Sequence, residues 1–233
     1  MLGVPDTTRA LLFDMDGVLT RTAVVHAKAW QQAFDEYLAS RGDPYVPFDP
    51  VVDYDEYVDG KQRADGVRSF LQARGIAFDE DLVRRIGDHK NDLVQELIRR
   101  DGVQAYEGSR QYLDAAVAAG LPRAVVSSSA NTREVLVAAG LDGYFQVEVD
   151  GIVAAVRRLK GKPAPDTFLA GAQELGVPPA RAAVFEDALA GVEAGRAGHF
   201  GLVVGVDRTG QAKELAEHGA DIVVEDLEEL LDR

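Results

Sequence analysis

The chain has 233 residues, 46% of them hydrophobic, a formal net charge of −14 and no cysteine. That length suits one domain or a core carrying a smaller inserted unit, and the apolar fraction is ample for a buried interior. The acidity disfavours nucleic acid or anionic lipid as a partner, and the missing cysteines exclude disulfides and thiolate metal sites. A small anionic substrate stays open, because surface charge is screened within about 10 Å and a pocket can be locally positive. No basic-then-apolar leader and no apolar run of membrane-spanning length is present, so a soluble cytoplasmic protein is expected.

The first element in chain order is a short apolar run at 9–13 that stops at Asp14-Met15-Asp16-Gly17, the pattern of a buried strand entering a turn. From residue 23 to about 101 the rhythm changes. His26, Trp30, Ala33, Phe34, Tyr37 and Leu38 recur at helical spacing, as do Leu82, Val83, Ile86, Leu93, Val94, Leu97 and Ile98. This stretch reads as a helical insertion hinged near 20–24 and 102–108. Short apolar runs resume at 124–126, 182–185, 201–206 and 221–224. The helical patterns among them stop at Gly120, Gly140, Gly176 and Gly219. Alternating helices and near-continuous apolar strands predict an α/β fold, a parallel sheet covered on both faces. Ligands of such sheets sit beyond the carboxyl ends of the strands. An insertion leaving just after Asp16 would lie over that place as a lid.

Polar residues follow several of these runs, and each group has an ordinary reading. Asp14 and Asp16 suit turn chemistry. Ser127, Ser128 and Ser129 suit a helix cap, with Ser129 or Asn131 as the capping residue, or a phosphate cradle of hydroxyls and N–H groups. Lys162, in Lys-Pro-Ala-Pro-Asp, suits a solvated lysine before a helix starting near Pro165 or Asp166. Glu186 and Asp187 suit a helix N-terminus, or oxygen ligation of a hard cation. Their order decides between these readings. Three of the groups fall at the ends of successive apolar runs, with Lys162 between the last two, and the chemistries interlock.

Asp14 would attack phosphorus and split one hard displacement into two. Asp16 would protonate the leaving oxygen and later deprotonate the acceptor. Asp14, Glu186 and Asp187 beside a phosphate would repel one another, so a divalent cation is needed, and Mg²⁺ suits. Asp16 is expected among its ligands as well. Lys162 would supply positive charge, and Ser127 a hydrogen bond to a transferring oxygen.

With these residues together, the chain resembles the haloacid dehalogenase superfamily, through Asp-Met-Asp-Gly-Val-Leu-Thr at 14–20, Ser127, Lys162 and Glu186-Asp187. The resemblance implies a Rossmann-like core over 1–20 and 105–233 and an α-helical cap domain over 21–104. Dehalogenases and phosphonate-cleaving relatives usually lack the second acid, so Asp16 favours phosphate esters. The insertion resembles the cap of the β-phosphoglucomutase branch. His26 and Trp30 match its His-x-x-x-Trp, Asp-Gly-Lys-Gln-Arg at 59–63 its cap loop with Gly60 and Arg63, and His-Lys-Asn at 89–91 its lysine, here Lys90. Ser129 and Asn131, with Ser128 beside them, match core residues that hold the distal phosphate. Taken singly, Trp30 suits a core anchor, and Arg63 and Lys90 suit solvated surface charge.

Two positions depart from the family pattern. Arg21 stands where relatives usually carry an acid, and Ala130 where a relative has a phosphate-binding lysine. The resemblance implies a small phosphorylated sugar as substrate. Isomerisation of β-glucose 1-phosphate through a bisphosphate is the first expectation and a sugar-phosphate phosphatase the second. A non-catalytic phosphosugar-binding protein is third, because binding alone has no need of both Asp14 and Asp16. The compact two-domain plan is compatible with a monomer.

Overall fold

The computed structural model describes residues 2–231. Among them a six-stranded, wholly parallel sheet is formed by β1 (Ala10–Phe13), β2 (Arg123–Val126), β3 (Val147–Val149), β4 (Ala182–Glu186), β5 (Leu202–Val206) and β6 (Ile222–Val224). The spatial order is β3-β2-β1-β4-β5-β6. β1, the first strand made, is therefore central, and strand order reverses between it and β4. That reversal opens a crevice at the carboxyl ends of the strands. Phe13 is in register with both Val125 and Phe185, so Asp14, Ser127 and Glu186 emerge along one edge.

The inner strands are apolar at every position because both faces are covered. Leu11 and Phe13 point to one face, with Val125, Phe185 and Val204. They meet Tyr112, Leu113 and Ala116 of α4 (Glu107–Ala118) and Val135 and Leu136 of α5 (Thr132–Ala138). Ala10 and Leu12 point to the other, against Phe168 of α7 (Asp166–Glu174), Val192 of α8 (Leu189–Ala197) and Leu215 of α9 (Ala212–Glu217). Gly120, Gly140 and Gly176 follow α4, α5 and α7 with φ of +67°, +65° and +70°. This is the left-handed helix stop expected of them.

Between β1 and β2 lie α1 (Ala23–Ser40), a π-helical turn (Tyr54–Val58), α2 (Arg63–Ala73) and α3 (Glu80–Asp101). They share an aromatic core in which Phe34 packs against Trp30, Phe48 and Phe70, the last with ring centroids 4.0 Å apart. α1 and α3 are two-faced. Ala29, Ala33, Leu93, Val94 and Ile98 pack instead with Met15, Val18 and Leu19 of the sheet unit. The two connecting segments pair with each other: Thr20 bridges Ala105, and the Arg21 N–H donates to Gln104 O at 2.9 Å. Arg21 lies over the Tyr106 ring, 4.7 Å from its centroid, and Arg208 packs on the same ring at 3.6 Å.

The structure adds two elements that the apolar runs do not announce. β3 reads Val-Glu-Val with Glu148 half-buried, because an edge strand paired only with β2 alternates rather than running apolar. After it comes α6 (Gly151–Arg157), capped by the Asp150 carboxylate, which accepts from the Val153 N–H at 2.7 Å.

Candidate active site

β1 ends at Phe13, so Asp14 takes the first position beyond the sheet, 6% exposed. Lys162 arrives from the segment before α7 across a cis Lys162–Pro163 bond. Its Nζ donates to Asp14 Oδ1 and to Glu186 Oε1, each at 2.5 Å, and to the Val126 carbonyl at 3.3 Å. Burial opposes the Lys162 charge, but the two carboxylates outweigh that and hold the ammonium protonated. Burial pushes Asp14 up to about 6, Lys162 pulling it down and Asp16 adding to the rise. Glu186 is pushed up to about 7 by burial, against Lys162, with Asp14 adding to the rise.

Asp187 has no such cation. It is 8% exposed, and among the described residues no donor reaches its carboxylate. Burial first, then Asp59, Glu186 and Asp14, push it well above the usual carboxylate range. Ligand oxygens of Asp14, Glu186 and Asp187 all lie within 4.8 Å of one another. A buried, unpartnered carboxylate in an all-oxygen set of three is an arrangement that a hard divalent cation relieves. Two glycines make room for it. A Cβ on Gly17 would lie 1.7 Å from Asp187 Oδ2, and one on Gly191 would lie 1.7 Å from Glu186 Oε1.

The Asp16 side chain stands apart from that set, turned toward the insertion. Its Oδ1 accepts a short hydrogen bond from the Thr22 hydroxyl, and Ser127 Oγ is 3.5 Å from its Oδ2. His26 Nε2 is 3.4 Å from Oδ1. Lys90 Nζ lies 2.7 Å from His26 Nδ1 and over the Trp30 ring, 4.7 Å from its centroid. Lys90 is buried rather than solvated, and burial lowers its ammonium to about 7 despite the attraction of Asp16. Burial and the Lys90 charge hold His26 well below its ordinary value, so the imidazole is neutral. With Nδ1 accepting from Lys90, the proton sits on Nε2, facing Asp16.

A cavity of about 210 Å³ joins these groups. Asp14, Asp16 and Asp187 form one part of its wall. His26, Trp30, Gly60, Arg63 and Lys90 of the insertion and Ser128, Ser129, Ala130 and Asn131 of the sheet unit contribute to the rest, with Tyr54 and Asp59 among others. Arg63 is partly exposed, its Nη2 3.6 Å from Asp88 Oδ1. The insertion is closed over the sheet unit. Ser128 Oγ donates to the Gly60 carbonyl at 2.8 Å, and Gln62 Nε2 to the Leu159 carbonyl at 3.2 Å. Asn131 Nδ2 donates to Asn91 Oδ1 at 3.0 Å, and its Oδ1 accepts from Gln95 Nε2 at 3.1 Å. Ser128 and Asn131, expected to hold phosphate, spend polar atoms on this closure. Ser127 and Ser129 make local turn bonds rather than the expected helix cap: Ser127 Oγ accepts from the Ser129 N–H and Ser129 Oγ from the Asn131 N–H, both at 3.1 Å, while Asn131 is the N-cap residue of α5 without a side-chain cap bond.

The model of the haloacid dehalogenase-like hydrolase family matches residues 8–199, a span that contains every group described above. The chain belongs to the haloacid dehalogenase-like hydrolases. It is 55% identical to a β-phosphoglucomutase of Mycobacterium bovis over 247 aligned positions, covering 99% of this chain and 94% of the relative. It is 33% identical to a fructose-1-phosphate phosphatase of Escherichia coli over 190 positions, covering 80% and 90%. The crystal structure of a Clostridium difficile β-phosphoglucomutase superposes with a TM-score of 0.79 at 26% identity, covering 96% of this chain and 93% of that one. The expected superfamily, its β-phosphoglucomutase-like branch and the α/β fold all hold. The chain is an enzyme of this family, and both a mutase and a phosphatase fit its relatives. No helix among the described residues is long and apolar enough to cross a membrane.

Sequence reasoning passed over four contributors to the site. Thr22 falls in the expected hinge and Asp59 in the expected cap loop, and Tyr54 belongs to no pattern in the sequence. Gly191 matters only through the volume it leaves empty. Asp-Gly at 59–60 beside Arg63 was the available signal for Asp59. Nothing in the local pattern marks Thr22.

Proposed function

We propose that the protein is a β-phosphoglucomutase, interconverting β-glucose 1-phosphate and glucose 6-phosphate through a sugar bisphosphate. The observation that carries this reading is that Arg63, from the insertion, lines the same cavity as Asp14. At one pole of that cavity Asp14, the proposed nucleophile, and Asp187 line the wall, and Glu186 behind them completes a set of three carboxylates suited to Mg²⁺. Another part offers Arg63 and Lys90 for a second phosphate. A mutase needs both at once, and needs water excluded while the phosphoryl group is on the enzyme.

In this mechanism an Asp14 carboxylate oxygen attacks the 1-phosphate of the bisphosphate, and the bond from phosphorus to the C1 oxygen breaks, leaving glucose 6-phosphate. The departing oxygen takes a proton from Asp16, so that Asp14 carries an acyl phosphate and Asp16 is ionised. When β-glucose 1-phosphate then presents its 6-hydroxyl, Asp16 removes that proton and the oxygen attacks phosphorus, restoring Asp14 and forming the bisphosphate again. The Thr22 hydroxyl holds the Asp16 carboxyl in place, and the buried His26 Nε2 faces it from 3.4 Å without a hydrogen-bond partner among the described residues. Lys90 sets the His26 tautomer and adds positive charge to the cavity. Lys162 keeps Asp14 and Glu186 together despite their like charge. Mg²⁺, held by Asp14, Glu186 and Asp187, would offset the charge gathering on the transferring phosphoryl oxygens.

The second reading is a sugar-phosphate phosphatase, in which water replaces the second hydroxyl. Ala130 in the cavity wall favours it, since an alanine offers no charge to a distal phosphate. Phosphorus NMR separates the two, using purified protein, Mg²⁺, β-glucose 1-phosphate and a trace of glucose 1,6-bisphosphate. Conversion to glucose 6-phosphate with little free phosphate supports the mutase. Stoichiometric inorganic phosphate supports the phosphatase. No change in the sugar phosphate would defeat both.

A further inference from the structure

Asp59 is a cavity-wall carboxylate that the phosphoryl-transfer scheme does not use. It follows the π-helical turn Tyr54–Val58, a rare geometry that recurs at functional sites. Its N–H donates to the Tyr54 carbonyl at 2.9 Å, and the Tyr54 hydroxyl is the hydrogen-bond partner of its carboxyl. The next residue, Gly60, sits against the residue after Asp187: a Cβ on Gly60 would lie 3.0 Å from Ala188 Cβ. Closure therefore brings Asp59 from the insertion to the cation carboxylates. The charge environment agrees. After burial, Glu186 acts most strongly on Asp59, and Asp59 acts most strongly on Asp187.

Asp59 is nevertheless outside the set whose oxygens lie within 4.8 Å of one another. That spacing is too wide for a shared direct ligand, since Mg²⁺ holds its oxygens at about 2.0–2.1 Å. Mg²⁺ retains several waters, however, and a carboxylate just outside the ligand set is placed to accept from one. The buried Asp187 carboxylate, without a donor among the described residues, independently points to an ion here.

We propose that Asp59 is a positioning residue for the divalent cation: with the insertion closed it accepts a hydrogen bond from a water on the ion, coupling cation affinity to closure. By linkage the cation then favours the closed state to the same extent. This inference rests on the cation site of the proposed function.

The test is titration of the full chain with MgCl₂, followed by calorimetry and by Trp30 fluorescence. Trp30 is the only tryptophan in the sequence and lines the cavity. Asp59→Asn, nearly isosteric, is expected to weaken Mg²⁺ by roughly 10-fold or more, as loss of an outer-sphere partner does. Asp55→Asn removes an equal charge from a neighbouring position and is expected to change affinity less than 2-fold. Gln62→Ala opens the Gln62–Leu159 contact and is expected to weaken Mg²⁺ in the parent but add nothing to Asp59→Asn. The proposal is overturned if Asp59→Asn binds Mg²⁺ like the parent, if Asp55→Asn loses as much, or if the Gln62 and Asp59 losses simply add. Failure of the underlying site is read separately: Asp187→Asn would then bind Mg²⁺ unchanged, and the Asp59 proposal would fall with it.

Discussion

Gly191→Ala is the sharpest structural test, because it inserts one methyl where the site has no room. Gly191 is buried in α8, and its added Cβ would sit 1.7 Å from Glu186 Oε1 and 1.9 Å from Cδ. Ordinary non-bonded contact is about 3.5 Å, so the carboxylate must retreat by nearly 2 Å or the helix must lift. Either movement parts Oε1 from Lys162 Nζ, an ion pair of 2.5 Å in which both side chains are almost wholly buried. Removing one partner of a buried pair costs about 3–5 kcal/mol. Displacement belongs near the lower end, and alanine returns about 1 kcal/mol of helix propensity. The expected net loss is about 2–3 kcal/mol, a fall in Tm of about 4–12 °C for a chain of this size. Circular dichroism melts in EDTA measure it, with Gly143→Ala as control, since a Cβ there meets nothing within 4 Å. An unchanged Tm for Gly191→Ala would refute the claim that this glycine holds the Glu186 carboxylate in position.

Three further outcomes are expected. Asp14→Asn should abolish turnover and phosphate incorporation, read by acid-quench mass spectrometry, and a protein still turning over would remove Asp14 as nucleophile. Arg63→Ala should lower mutase turnover by roughly 10-fold or more through loss of a charge-assisted phosphate contact, and undiminished turnover would sink the second phosphate site. Lys90→Met should change how stability depends on pH. The folded chain holds Lys90 near 7 against an ordinary 10.5, so the unfolded chain binds the extra proton between those values. Lys90 therefore disfavours folding below about 7, and this penalty fades as pH rises toward 10.5. Urea unfolding of the parent relative to Lys90→Met should show stability rising across that window, and parallel profiles would contradict a depressed Lys90.

Much of the core site was legible because parallel strands with both faces covered must be apolar throughout, which makes their polar ends conspicuous. Asp14, Ser127 and Glu186-Asp187 stand at such ends, and Lys162 reaches Asp14 and Glu186 as their charges require. β3 was illegible for the converse reason: an edge strand of three residues carrying Glu148 has no apolar run to read. In the insertion, periodicity located α1 and α3 but not the π-helical turn, whose backbone pattern leaves no sequence period. Lys90 was ambiguous because a lysine on an amphipathic helix usually reaches water. Here its ammonium is trapped between His26 and the Trp30 ring. Thr22 and Asp59 lie next to or inside quoted motifs, yet their roles depend on contacts with distant segments that only the folded chain makes.

The closure contacts suit a lid that must release its contents. Ser128 to Gly60, Gln62 to Leu159, Asn131 to Asn91 and Gln95 to Asn131 are all hydrogen bonds between neutral groups. Each contributes about 0.5–1.5 kcal/mol net, because opening returns both partners to water. Strong ion pairs across the same seam would hold the cavity shut and trap the product. A mutase of the proposed kind has a stricter requirement than a phosphatase, since the bisphosphate must turn end for end between half-reactions. Weak neutral latches allow that reopening, while Lys90, Arg63 and Asp59 stay in the cavity wall. Closure is then favoured when phosphate and cation are bound and lost when they leave, so the energy that shuts out water comes from the substrate itself.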